Sequence, residues 1–302
     1  MIKINKDIVN YIGNIDKVTY YSKYTIVVSD NKKYLLKNKN YKLENIEKYL
    51  SSIEYNYFVP IINSYNDDIY IYPYYDELDI DAIEKHESII NALSILHIKS
   101  ADCVTYSKSD MKIIYENILN KIDGVMNYYN DLQDFIEELS FPKPALYLLI
   151  NNISTIYKLL DCAKDNLYNW YKEEEFKTIT SLLINDLNID NFVFGEKNYF
   201  INFDDLYRDI FLYDLVNFYR SNFRFESIWI IIDKYMKRLG IRDYEKYLFF
   251  SLISIPETIE FKNNNIVDLI NIRNIIDYSN MTLEYILKKY KENKKTDKDE
   301  FE

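Results

Sequence analysis

The sequence predicts an α+β fold in two parts, a small β-sheet with one helix followed by a larger, mainly helical part. Apolar and polar residues alternate in the first 76 residues, whereas later apolar residues recur at helical spacing. A single β-like island interrupts the helical part near residue 195. The 302 residues are enough for two parts that each have a core of their own.

The first part, residues 1–76, is expected to contain two β-hairpins with a helix between them. Polar turns separate the apolar stretches that we assign as strands, at 25–28, 34–36, 59–62 and 69–72. The helix, at 43–53, is indicated by apolar residues that follow helical spacing, namely Leu43, Ile46, Leu50 and Ile53. A short linker at 73–77 then leads into the second part.

The second part, residues 77–290, is expected to be helical apart from one hairpin. Helical spacing is found at 79–98, 110–138, 145–172, 226–239, 243–254 and 263–290. The island predicts strands at 191–194 and 199–201 around a glycine-containing turn. Residues 291–302 are highly charged and are predicted to form a disordered tail.

The charge and the apolar runs limit the kinds of partner. With 37 basic and 48 acidic residues the net charge is −11, which disfavours nucleic acids and anionic membranes as partners. No uncharged apolar run approaches the roughly 20 residues that span a bilayer, and the N-terminus lacks the apolar core of a signal peptide. Two cysteines, Cys103 and Cys162, lack metal-ligand spacing. We therefore expect a cytoplasmic protein with reduced thiols and no membrane insertion.

A small sheet, a linker and a helical part with one hairpin are the layout of the protein-kinase-like two-lobed fold, although similar small sheets occur elsewhere. The segment from Leu182 to Phe194 resembles the catalytic loop of aminoglycoside phosphotransferase-like kinases, which reads HGDxxxxN and precedes a strand. Asp186 stands at the catalytic Asp of that motif and Asn191 at its metal-binding Asn. Eleven residues later, Ile201-Asn202-Phe203 resembles the family's I-D-F triplet.

Three further matches lie outside that loop. Leu212-Tyr213-Asp214-Leu215 resembles the family's YDLA helix start, in which the Asp braces the catalytic loop. Leu96-His97 with Ser100 resembles the LHxxS helix end of CotS-type spore-coat proteins and their relatives. Lys37 stands at the end of a strand, where kinases place the phosphate-binding Lys. On a helical projection Glu47 is better placed than Glu44 to be its partner.

The resemblance implies a site for ATP and Mg²⁺ and a small-molecule acceptor with a hydroxyl group. Asp186 would be the catalytic base, and Lys37 and Glu47 would serve the nucleotide. Asn191, Asn202 and Asp204 would be the metal ligands, and Asp214 would be a structural anchor. The CotS-type resemblance also implies a bacterial protein of the spore coat that binds other spore-coat-type proteins.

Three departures from the family pattern weaken the predicted site. Asn202 replaces the metal-binding Asp and removes a negative charge that hard cations favour, although Asp204 could compensate. Ile184 replaces the His that holds the loop by hydrogen bonds. The early chain has no glycine-rich loop, since Gly13 is its single glycine.

Three functions remain open from the sequence. The first is a kinase-like protein with weakened catalysis, a pseudokinase with a binding or structural role of the spore-coat kind. The second is an active ATP-dependent phosphotransferase that acts on a hydroxyl acceptor. The third is a helical interaction protein with a small β appendage, which would be favoured if the first 78 residues formed no sheet.

Overall fold

The computed structural model describes residues 6–21, 24–38, 41–65, 69–75, 78–172, 177–184, 187, 189–201, 203, 206–262 and 264–299. The helices are α1 Lys6–Ile12, α2 Tyr41–Ser52, α3 Ala82–Lys99, α4 Lys108–Glu137, α5 Pro144–Tyr171, α6 Leu212–Asn222, α7 Ile228–Leu239, α8 Asp243–Ile253 and α9 Asn265–Asp299. The strands are β1 Ile15–Tyr20, β2 Thr25–Ser29, β3 Lys32–Asn38, β4 Asn63–Tyr65, β5 Ile69–Tyr74, β6 Asp102–Thr105, β7 Lys177–Leu183, β8 Phe192–Val193, β9 Tyr199–Phe200 and β10 Tyr207–Ile210.

The N-terminal strands form a five-stranded sheet in the order β1-β2-β3-β5-β4, and its pairs are antiparallel. The predicted hairpin at 25–36 is confirmed as β2 and β3, with Val27 opposite Tyr34. The predicted α+β class, with a small antiparallel sheet before a larger helical part, is therefore confirmed.

The two faces of this sheet have different neighbours because successive side chains of a strand point to opposite sides. On one face Ile8 and Ile12 of α1 pack on Val27, Leu36 and Ile71, all of them buried. On the other face Lys37 of β3 follows Leu35, and Tyr70 of β5 donates a hydrogen bond to Glu44 of α2 over 2.7 Å. Lys37 of β3 therefore lies on the face of the sheet that α2 covers.

The structure differs from the prediction in the strands next to the hairpins. Strand β1 and helix α1 were not predicted, because Asp16 and Lys17 obscure the apolar alternation of β1. The strand expected at 59–62 begins later, as β4 at Asn63. Pro60 lacks a backbone N–H for a ladder, and the first bond to β5 is the one from Ile62 N to Ile71 O, at 2.9 Å.

The chain divides into two compact units, each made of two separate stretches of the chain. Unit 1 contains Met1–Asp102 and Thr180–Asp214, and unit 2 contains Cys103–Ile179 and Leu215–Glu302. Helix α3 and the hairpin β8–β9 belong to unit 1 because they bond to the segments around the sheet. Tyr55 Oη donates to Ala92 O of α3, and Phe200 N donates to Tyr57 O.

Unit 2 is helical, and α5 is its central helix, packed against α4, α8 and α9. Fully buried apolar residues of α5 repeat at helical spacing, among them Leu149, Ile156, Leu160 and Ala163. The predicted helices at 110–138, 145–172, 226–239 and 243–254 agree with α4, α5, α7 and α8 to within two residues at each end, whereas α6 was not among the predicted ranges.

The last helix runs further than predicted. Helix α9 continues to Asp299, whereas a disordered tail was expected from residue 291. The lysine and glutamate residues there are good helix formers, and no glycine or proline interrupts them. Among the described residues, no helix has both the length and the apolar character needed to cross a lipid bilayer.

Candidate functional site

Lys37 lies near the end of β3 and is 3 % exposed. A lysine is buried so deeply only where charged or polar groups compensate for its lost hydration. Glu47 of α2 lines the same small cavity, and the Lys37 charge interacts with its carboxylate. The structure thus places Lys37 and Glu47 together in unit 1.

The two glutamates of α2 have different roles. Glu44 accepts the hydroxyl of Tyr70, whereas Glu47 Oε2 accepts the amide of Ile61 at 3.3 Å. Burial raises the pKa of the Glu47 carboxyl, while the bonds from Ile61 and Tyr72 and the charge of Lys37 act in the opposite direction. Glu47, rather than Glu44, is therefore the carboxylate that shares the cavity with Lys37.

Aromatic side chains surround the cavity beside Lys37. They are Phe58, Tyr72, Tyr199, Phe200 and Phe203. Phe203 makes edge-to-face contacts with Phe58 at 6.3 Å and with Phe200 at 6.0 Å between ring centroids. The free volume that they leave is about 20 Å³, enough for about one water molecule.

The hairpin β8–β9 supplies two of these aromatic residues and is fixed to its surroundings in unit 1. Asn191 ends a short 3₁₀ turn before β8, and its carbonyl accepts the amide of Ile201 at 2.8 Å. Leu78 N donates to Phe194 O at 2.6 Å. The hydroxyl of Tyr199 accepts the amide of Tyr75 at 3.3 Å. These bonds hold the aromatic wall of the cavity in place.

A buried polar group lies at the start of α6. Asp214 Oδ2 accepts the amide of Ile184 at 2.8 Å and is 3.2 Å from His97 Nε2, and both side chains are fully buried. Burial raises the pKa of the Asp214 carboxyl, and the bonds to His97 and Ile184 act against this shift. Its other oxygen, Oδ1, is buried and has no hydrogen-bond partner among the described residues. Asp214 therefore ties helix α6 to the chain two residues before Asp186.

The LHxxS segment joins the same region. Ser100 caps α3, and its hydroxyl accepts the amide of Leu182 at 3.0 Å. Its carbonyl accepts Arg208 Nη1 at 2.8 Å. Strands β7 and β10, which pair from Leu183 opposite Tyr207, are thereby connected to the end of α3.

Three predicted site residues, Asp186, Asn202 and Asp204, lie outside the described residues. Asn191 is the single predicted metal ligand whose position is described, and it is half-buried. No group of three or more His, Cys, Asp or Glu side chains suited to a metal ion occurs within the described part of the chain. Gly13 ends α1, with φ of 90° and its amide bonded to Val9 O, and so forms no phosphate loop.

The geometry allows a test of whether the implied nucleotide fits. Lys37 has the charge that a phosphate requires, but the cavity that the described residues form beside it admits about one water molecule and no nucleotide. A pocket of about 900 Å³ in the same unit shares the lining residues Phe58, Val59 and Tyr199 with it but is not lined by Lys37. The aromatic residues that close the Lys37 cavity were not predicted, because tyrosine is so common in the chain, with 32 residues, that no single one stands out. As it stands, this cavity does not fit ATP.

Comparisons with known proteins identify the fold. No protein-family model matches the chain, and a search of curated proteins gives no significant match. Among solved structures, an aminoglycoside phosphotransferase from Alicyclobacillus acidocaldarius matches with a TM-score of 0.68 at 8% identity, over 97% of this chain and 98% of that one. AMP-bound spectinomycin phosphotransferase matches with a TM-score of 0.57 at 13% identity, over 92% and 98% of the two chains.

These identities are too low to carry more than the fold. The covered lengths show that the similarity extends over nearly the whole chain and not over the sheet alone. The prediction of a kinase-like fold is confirmed: this chain has the fold of the aminoglycoside phosphotransferases.

Proposed function

We propose that the chain is a kinase-fold protein with a weakened nucleotide site, which acts through binding rather than through catalysis. The observation that carries this proposal is the small volume of the cavity beside Lys37. Five aromatic side chains leave about 20 Å³ there, whereas sites for drug-sized ligands have about 300 to 1,000 Å³. A nucleotide phosphate that contacts Lys37 would have to displace packed aromatic rings, and the free-energy cost of doing so would lower the affinity for the nucleotide.

The sequence supports the same proposal at two positions. Asn202 has a neutral amide where the family has the metal-binding Asp, and Mg²⁺ binds more weakly without that carboxylate. Ile184 provides a backbone amide to Asp214 but has no side-chain donor of its own. The resemblance to CotS-type proteins suggests that this binding role is one in a spore coat.

The test is the melting temperature of the full chain with ATP alone, with ATP and Mg²⁺, and with ATP and Mn²⁺. A ligand at about 100 times its Kd adds about 2.7 kcal/mol, which would raise the midpoint by about 5 to 10 °C in a protein of this size. We expect a rise of less than about 1 °C at millimolar ATP with either metal.

Lys37→Met is the matched variant, because it removes the charge that would meet phosphate and keeps an apolar stem of similar length. The ligand-induced shift is compared within each variant, so a lower midpoint of the variant itself does not matter. A metal-dependent rise in the wild type that disappears in Lys37→Met would contradict a weakened site. So would ATP-dependent phosphorylation of an acceptor that Asp186→Ala abolishes.

The second candidate is an active small-molecule phosphotransferase. It is favoured by the Lys37 and Glu47 arrangement and by the bond from Ile184 to Asp214. On this alternative the aromatic residues beside Lys37 move when the nucleotide binds, and the metal-dependent rise is expected. The same melting experiment therefore separates the two candidates.

A further inference from the structure

Unit 2 contains a pocket of about 600 Å³ that no predicted site residue lines. Three helices contribute polar side chains to it, namely Lys121 from α4, Arg220 from α6, and Asn271 and Asn274 from α9. The chain segment 255–260 forms the remaining wall. Convergence of polar groups from separate elements on a concave surface is typical of a small-molecule site.

The wall formed by segment 255–260 is held by side-chain bonds on both sides. Tyr128 Oη donates to Ile259 O at 2.8 Å, and Tyr129 Oη donates to Glu257 O at 2.7 Å. Arg220 Nη2 donates to the carbonyls of Leu252 and Ile255 at 3.0 and 2.9 Å. The pocket is therefore built from fixed backbone and not from a loose surface loop.

The two cations of the pocket share it with two carboxylates, those of Glu257 and Glu260. Neither Lys121 nor Arg220 forms an ion pair with a described residue. Elsewhere in unit 2, Lys164 pairs with Asp123 at 2.8 Å and Arg224 with Asp277 at 3.1 Å. The two carbonyls bonded to Arg220 are neutral, so the guanidinium retains its full charge.

The cations also act on each other. Burial and the neighbouring charge of Arg220 lower the pKa of Lys121, and the carboxylate of Glu257 acts in the opposite direction. Glu260 also lines the pocket, but it pairs with Lys262 at 2.6 Å. Together, the three basic and two acidic side chains leave a net charge of about +1 here, in a chain whose total charge is −11. An anion bound between Lys121 and Arg220 would relieve their repulsion.

We propose that this pocket binds a small molecule through an oxyanion group, a phosphate or a carboxylate. Lys121 and Arg220 are its charged partners, since charge-assisted bonds to oxyanions are the strong ones. Asn274 accepts a bond from Arg224 through Oδ1, which leaves its Nδ2 as a donor. Val125, Pro256 and Ile275 line the same pocket and contact the body of the ligand.

This inference does not depend on the proposed function, because it uses no residue of the Lys37 cavity. The pocket's volume exceeds that of a bare phosphate ion, so the oxyanion is one part of a larger ligand. The phosphate and carboxylate sources share the same partners, and separate probes distinguish them.

The experiment is isothermal titration of the full chain with inorganic phosphate and, separately, with acetate. The variants are Lys121→Ala and, as a matched control on the same helix, Lys112→Ala, whose exposed lysine pairs with Glu116. We expect saturable binding of one probe per chain, weakened about tenfold or more in Lys121→Ala and changed less than about twofold in Lys112→Ala. The probe that binds identifies the source of the oxyanion.

Lys121 is an exposed residue as a whole, so its replacement should not impair folding, which the melting temperature verifies. The proposal is overturned if neither probe binds saturably, or if Lys121→Ala and Lys112→Ala bind alike. It is also overturned if Lys37→Met abolishes phosphate binding while Lys121→Ala does not, because the ion would then lie in unit 1. If ATP fails to bind in the melting experiment, the outcome of the phosphate and acetate titrations is unaffected, because the two sites share no residue.

Discussion

Asp214 is the residue whose environment is the least tolerant of change. It is fully buried, and one oxygen receives both the amide of Ile184 and the ring of His97. Asp214→Ala would leave that amide and that imidazole buried without a partner, and such losses are large. We expect a decrease of about 3 kcal/mol in the free energy of unfolding, measured by urea denaturation.

Asp243→Ala is the control for that measurement. Asp243 pairs with Lys246 at 2.7 Å, but its side chain is 86% exposed, so water replaces the partner. We expect a loss of less than about 1 kcal/mol there. Equal losses in the two variants would mean that Asp214 does not hold Ile184 and His97 in solution.

Individual site residues could be predicted from the sequence where a motif fixes the spacing. Lys37 was singled out by the resemblance to kinases and Glu47 by a helical projection, and both line one cavity in the structure. The aromatic closure of that cavity could not be predicted, because Phe58 and Tyr199 are distant in sequence and no motif links them. The Lys121 and Arg220 pocket was missed for the same reason, since its residues come from separate helices.

At the scale of elements, long helices were predictable and short strands were not. Helices α4 and α5 have 30 and 28 residues, and their apolar periodicity extends over many turns. Strands β6 and β10 have four residues each, with mostly exposed or half-exposed side chains. Four residues are too few to show an apolar alternation in the sequence. The sheet that β6 and β10 form with β7 was therefore not predicted.

Glycine substitutions test the ends and the interior of these elements. Gly13, at the end of α1, has a φ of 90°, and an added Cβ would lie 2.4 Å from Asp30 Oδ2. Gly240, which ends α7, has a φ of 64° and open space around it. We expect Gly13→Ala to cost about 2 kcal/mol, through backbone strain and the close contact, and Gly240→Ala about 1 kcal/mol, through the backbone alone.

Gly124→Ala is the internal control, because Gly124 lies inside α4 and an added Cβ meets nothing within 4 Å. We expect it to stabilise the chain by about 0.5 to 1 kcal/mol, since alanine is the better helix former. Urea denaturation of the three variants measures their free energies of unfolding and so gives their order of stability. A Gly13→Ala variant as stable as Gly240→Ala would show that Asp30 moves aside at little cost.

For the whole molecule, the fold is shared with phosphotransferases over nearly its full length. The structural similarity covers nearly the full length of the aminoglycoside phosphotransferase from Alicyclobacillus acidocaldarius, but a shared fold does not determine activity. The two compact units each contain a candidate site, the Lys37 cavity in unit 1 and the Lys121 and Arg220 pocket in unit 2. The Lys37 cavity has a volume of about 20 Å³ and the unit 2 pocket one of about 600 Å³.

The net charge of the chain leads to a last prediction, about partners that are polyanions. With a net charge of −11, the chain as a whole repels nucleic-acid phosphates, and two cations in one pocket offer few contacts to a backbone that needs many. We expect no change in the fluorescence anisotropy of a labelled 20-base-pair duplex at about 10 μM protein and about 0.15 M salt, a concentration at which many basic proteins bind non-specifically. A small oxyanion should bind to the unit 2 pocket under the same conditions, because the nearby charges of Lys121 and Arg220 act on it more strongly than the net charge of the chain. Saturable duplex binding that weakens steeply with salt would contradict this exclusion, and its loss in Lys121→Ala would assign it to the pocket.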